Sequence, residues 1–108
     1  MLILAIDTSF GASSAAIGEF ADGHLSCLAE AARDAGPGQA EALLPLIEGL
    51  ASKVCVVPGR QGFSLGRIER IAVTLGPGTF TGVRTGIATA RGLALALGVP
   101  TVGASSLA

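Results

Sequence analysis

The sequence predicts an α/β domain in which three consecutive strands lead into two strand–helix–strand crossovers. Three observations point there. An apolar run that stops at Asp7-Thr8-Ser9 opens the chain, an Asp-Gly pair at 22 and 23 joins two further strand-like runs, and two long segments with helical apolar spacing alternate with short apolar runs after residue 38. The chain has 108 residues, half of them apolar and only 14% charged. That is enough apolar content and length for one domain with a real core and no need of disulfides or metals.

The elements follow in order. Leu2 to Ile6 reads as a buried strand closed by a turn. Ser14 to Phe20 and His24 to about Ala31 read as the two arms of a hairpin around Asp22-Gly23. Ala35-Gly36-Pro37-Gly38 is a loop, and beyond it Leu43, Leu44, Ile47, Leu50, Ala51 and Val54 recur at helical spacing. Pro45 opposes the carbonyl of Glu41, so a kink is expected, or a helix start nearer Leu44 than Gln39. Pro58 to Gly66 is a loop with a turn of helix from Ser64, and Ile71 to Leu75 fits a buried parallel strand. Val83, Ile87, Ala90, Ala94 and Leu97 mark one face of a helix from Thr81 to Leu97, stopped by Gly98 with Pro100 just beyond. Val99 to Val102 is the expected last strand.

This βββαβαβ order, with right-handed crossovers, is the topology of the ribonuclease-H-like fold, which also forms each half of actin-like ATPases. A mixed sheet with helices is therefore expected, and the fold alone assigns no function.

Composition excludes several classes. The net charge is -1, there is no Trp or Tyr, and the four Phe lie far apart, so neither a phosphate-neutralising face nor a base-stacking platform is visible. Cys27 and Cys55 lack metal-ligand spacing and read as reduced thiols. No run is long enough to span a bilayer, and the start has no basic export signal, so a cytoplasmic protein is expected. His24 is the only histidine, which leaves no base for a nucleophilic Ser or Cys and no multi-His metal site. Arg60, Arg67 and Arg70, like Glu41 and Glu48, read as solvated edges.

Two segments could carry chemistry. Gly76-Pro77-Gly78-Thr79-Phe80-Thr81-Gly82-Val83-Arg84 joins a strand end to a helix start, where amides bared by Gly76 and Gly78, with Thr79, suit an anion. It is neither a Walker loop nor a dinucleotide fingerprint. The alternative for Gly82 and Gly86, one helical turn apart, is a bare helix face that admits another backbone. Asp7, Thr8 and Ser9 could hold a phosphate by hydroxyls and amides and a metal ion by the carboxylate, or merely cap a turn.

Ile3 to Ser9, Ala42 to Ile47, Gly76 to Arg84 and Gly103 to Leu107, in that order, resemble the bacterial TsaB (YeaZ-type) family over essentially the whole chain. The resemblance implies a non-catalytic subunit of the machinery that forms N6-threonylcarbamoyladenosine at tRNA position 37. In that machinery the paralogue TsaD carries the metal and the transferase site, the ATPase TsaE joins the pair, and TsaC supplies threonylcarbamoyl-adenylate. It implies contact with tRNA only through the partner, no membrane, and no required cofactor. Weak ATP or ADP binding with magnesium at Asp7, Thr8, Ser9, Gly76, Gly78 and Thr79 follows from the actin-like kinship. The older glycoprotease or M22 peptidase label finds no support in the residues.

Family members pair with TsaD or with themselves through their first two helices. Leu43, Leu44, Ile47, Gly82, Arg84, Gly86, Ala90 and Leu93 are the expected interface residues, and Leu46 and Leu95 add apolar surface. Two departures stand out. Gln39 occupies a place where many members have His, and members usually continue into a second ribonuclease-H-like domain. The chain is therefore expected to be the N-terminal domain alone, as an excised domain or a truncated gene product, without a complete ATP site. Two other readings remain open at this stage, an actin-like nucleotide-binding ATPase domain and a self-associating interaction module.

Overall fold

A computed structural model describes residues 1–8, 13–33, 39–54, 67–76 and 80–105. The elements are β1 (Leu2–Asp7), β2 (Ser13–Ala21), β3 (His24–Arg33), α1 (Gln39–Val54), β4 (Ile68–Gly76), α2 (Phe80–Leu97) and β5 (Thr101–Ser105). The strands form one sheet in the order β3-β2-β1-β4-β5. β1, β2 and β3 are antiparallel neighbours, while β4 runs parallel to both β1 and β5. The expected βββαβαβ order and mixed sheet are what the chain adopts.

Local chemistry explains the boundaries. Asp22 and Gly23 both have positive φ, 54° and 77°, the pairing that lets a two-residue hairpin turn match the twist of its strands. The terminal ammonium of Met1 donates to the Phe20 carbonyl at 3.0 Å, and Phe20 N–H donates back to Met1, which extends the β1–β2 ladder to the first residue.

Three expected boundaries need correction. α1 begins at Gln39 and continues through Pro45, rather than starting near Leu44. Pro45 lies on the exposed side of the helix, where water can serve the carbonyl group that its missing N–H leaves unbonded. The last strand begins at Thr101, not Val99, because the end of α2 claims the residues before it. Gly98, at φ 69°, and Val99 both donate their N–H groups to the Ala94 carbonyl, at 2.8 and 3.1 Å. This left-handed cap closes the helix and satisfies a terminal carbonyl. β4 also extends further back than expected, to Ile68. The turn of helix expected from Ser64 falls outside the described residues.

The core lies on one face of the sheet. Leu2, Leu4 and Ile6 of β1 alternate inward with Ala15 and Ile17 of β2 and with Ile68, Ile71 and Val73 on β4. α1 closes this face over β2 and β3 with Leu43, Ile47, Leu50 and Ala51. α2 covers β4 and β1 with Ala90 and Ala94, and the two helices touch. The other face carries Ile3, Ala5 and Asp7 from β1, beside Ser14 and Ala16 of β2 and Ala72 and Thr74 of β4. No described helix packs on it.

Candidate functional site

The carboxyl ends of β1 and β4 lie side by side, which brings Asp7 and Thr8 to the same end of the sheet as Gly76. Thr74 Oγ1 donates to Asp7 Oδ1 at 2.8 Å, tying the two parallel strands together across 67 residues of sequence. Ser14 Oγ donates to the Asp7 carbonyl at 3.4 Å. Thr74 is a site residue that the sequence reading missed. The signal was available, since a Thr near the carboxyl end of the parallel strand beside β1 has its hydroxyl on the same face as Asp7.

Thr8 is 1% exposed and lies under α2. A Cβ at Gly86 would stand only 2.5 Å from Thr8 Oγ1 and 3.4 Å from Val73 Cγ2. Gly86 is thus the place where α2 receives the end of β1. Gly76, at φ 113°, ends β4 in a conformation that a side chain would strain. Ser13, 2% exposed, points to the helix layer, and among the described residues its Oγ is a buried oxygen with no hydrogen-bond partner. Ser9, Gly78 and Thr79 of the expected phosphate site lie outside the described residues.

On the opposite face a groove of about 240 Å³ runs over Ala5, Ala16 and Ala72, with Asp7, Glu30 and Thr74 among its polar lining. Alanine on three adjacent strands makes the floor, because each contributes only a methyl group.

The expected interface residues separate into two sets. Leu43, Ile47 and Ala90 are 0% exposed and belong to the chain's own core, as does the buried Gly86 against Thr8. These four add nothing to the surface of this domain, since the helical stripe that is most apolar is the one the sheet consumes. Leu44 is 47% exposed, Arg84 is exposed, and Leu93 is partly buried against the core. Gly82 lies on α2, but nothing of its surroundings is described. Leu46 joins Leu93 in partial burial, while Leu95 is 85% exposed. Gln39 opens α1.

Among the described residues no group of three His, Cys, Asp or Glu side chains could hold a metal ion, and no helix is long and apolar enough to cross a membrane.

A mixed sheet with this strand order, a carboxylate at the end of β1 and a positive-φ glycine at the end of β4 define an actin-like, ribonuclease-H-like domain. Solved structures agree on that class. Thermus thermophilus RuvC, in complex with a Holliday junction substrate, superposes with a TM-score of 0.59 at 17% identity, over 99% of this chain and 66% of that one, a likeness of fold alone.

The family model described as TsaD, tRNA N6-adenosine threonylcarbamoyltransferase, matches residues 33–108. The tRNA threonylcarbamoyladenosine biosynthesis protein TsaB of Escherichia coli is 37% identical over 99% of this chain and 41% of its own length. YeaZ from Pseudomonas aeruginosa superposes with a TM-score of 0.79 at 34% identity, covering 99% of this chain and 45% of that one. The chain belongs to the TsaB (YeaZ-type) family, within the wider group that the TsaD model describes. It spans less than half the length of these two relatives.

Proposed function

We propose that this chain is the N-terminal domain of a non-catalytic subunit that pairs with a TsaD paralogue and supports N6-threonylcarbamoyladenosine formation at position 37 of tRNA. The observation that carries this reading is likeness to the Escherichia coli TsaB at 37% identity over 99% of this chain and 41% of that protein. Such a subunit acts in the cytoplasm, touches tRNA through its partner, and works by holding that partner in an active arrangement. TsaE joins the pair, and a homodimer through the same helices forms when the paralogue is absent.

The surface offered to the partner is the outward side of α1 and α2, with Leu44, Arg84 and the exposed edge of Leu93. Leu43, Ile47, Gly86 and Ala90 contribute by fixing the two helices on the sheet. Burying Leu44 and its neighbours on association is worth about 25 cal/mol per Å² of apolar surface, before the cost of lost freedom. Deleting the gene and measuring the modified nucleoside in total tRNA tests the reading. Loss of the modification, restored by the gene, is expected, and full modification without the gene contradicts it.

A second reading is favoured by one observation, Ser13 Oγ, which is buried with no hydrogen-bond partner among the described residues, on the helix side of the sheet end whose other side carries Asp7. ATP or ADP with magnesium would bring phosphate oxygens to that region, with Asp7 as the carboxylate on the cation side and Thr8, Ser9, Gly76, Gly78 and Thr79 around the phosphates. A ligand that binds only the folded state raises stability by about 2.7 kcal/mol at one hundred times its Kd. An unchanged melting temperature in millimolar ATP and magnesium removes this reading.

A further inference from the structure

β5 is an edge strand. One flank pairs with β4, and among the described residues nothing pairs with the other. The free flank of such a strand is a row of N–H and C=O groups able to accept one more strand. Two large apolar side chains stand beside it on opposite faces of the sheet. Val102, aligned with Ala72, is 50% exposed on the face without helices, and Leu95 of α2 is 85% exposed on the helix side. A strand laid along β5 sends alternate side chains to the two faces, so one guest segment covers both.

The helix side of this edge holds a groove of about 370 Å³ lined by Arg91, Ala94, Leu95, Val99 and Thr101. Arg91 is exposed and has no carboxylate partner among the described residues. Its surroundings have a consistent sign. All eight Asp and Glu residues lie at or before Glu69, whereas Arg70, Arg84 and Arg91 follow it. α2 and β5 therefore carry positive charge and no negative charge, while Glu69 stands at the far, amino end of β4 beside the Met1 ammonium. A second copy joined β5 to β5 would bring the same basic helix and strand to Arg91, with no acid on either to meet it.

We propose that the β5 edge takes an extended segment of a different protein chain, with apolar residues at alternating positions and an Asp or Glu set against Arg91. Main-chain hydrogen bonds supply the affinity, Leu95 and Val102 the apolar contacts, and Arg91 the selection for an acidic guest. The guest would contact Arg91, Leu95 and Val102, and none of Leu44, Arg84 and Leu93, the residues offered to the paralogue above.

Randomised hexapeptides displayed on phage and selected against the purified chain test it, followed by synthesis of the best binder. Enriched sequences are expected to alternate apolar residues with other types and to include Asp or Glu. R91E is expected to weaken the synthetic peptide about tenfold or more while leaving the melting temperature of the chain unchanged. N-methylation of one alternate set of the peptide's amides is expected to abolish binding and of the other set to spare it, because only one edge of the guest pairs. No enrichment, indifference to R91E, or equal tolerance of both methylated sets overturns the proposal. A concentration-dependent dimer that Leu95→Glu dissociates overturns it too, assigning the edge to a second copy.

Discussion

Thr8 and Gly86 meet where the end of the first strand passes under the second helix, and no space is left for a methyl group at residue 86. Gly86→Ala is therefore expected to cost about 1–3 kcal/mol, as overpacking of a tight interior does. In a domain of this size that lowers the melting temperature by about 4–8 °C per kcal/mol, which calorimetry would record. Gly92 provides the contrast, since a Cβ there meets nothing within 4 Å, and Gly92→Ala is expected to leave stability unchanged or improved. Thr74→Val removes the hydroxyl that holds Asp7 and is expected to destabilise by about 1–2 kcal/mol, with Thr74→Ser retaining most of that stability. At this scale the sequence showed which residues converge but not how. Asp7 and the Gly76 turn were legible as strand ends, whereas the Thr74 bond depends on β1 and β4 being parallel neighbours in a particular register. Gly82 and Gly86 were legible as a bare helix face, but the occupant that meets Gly86 is a side chain of the same domain.

The helices divide their apolar residues between two tasks. Leu43 and Ile47 are fully enclosed by the sheet, and Leu44, one residue away, is half exposed. Leu43→Ala or Ile47→Ala is expected to cost about 2–5 kcal/mol, measured by urea denaturation. Leu44→Glu is expected to stay within about 0.5 kcal/mol of the parent, as exposed substitutions do, while weakening association with a TsaD paralogue. Helical periodicity identified α1 and α2 and placed the ends of α2 to within a residue, whereas Pro45 drew the expected start of α1 forward. It could not assign their faces, because apolar residues occur on more than one side of each helix. Which side the sheet takes is decided by the small Gly86, Ala90 and Ala94 row, which lets α2 settle close on β4. The β5 boundary moved for a related reason, since the Gly98 cap uses backbone groups that the apolar run Val99 to Val102 alone does not reveal.

The described residues form a one-sided α/β layer. Its helices cover one face of a five-stranded sheet, and the other face keeps an alanine-floored groove beside Asp7 and Glu30. Low charge content and exposed Leu44, Leu95 and Val102 are consistent with a protein that works by contact. The fold class was legible because every strand and helix has a strong local pattern and the crossover rule leaves few arrangements. Membership of the TsaB family was legible in the ordered motifs, above all Gly76 to Arg84. The central claim is that this domain is a partner-binding subunit, and titration of the purified chain against its TsaD paralogue by calorimetry, with light scattering for stoichiometry, tests it most directly. A one-to-one complex that Leu44→Glu and Arg84→Glu each weaken, without lowering the melting temperature of the chain, is the expected result. A folded chain that gives no heat of binding and no complex, at concentrations well into the micromolar range, would contradict it.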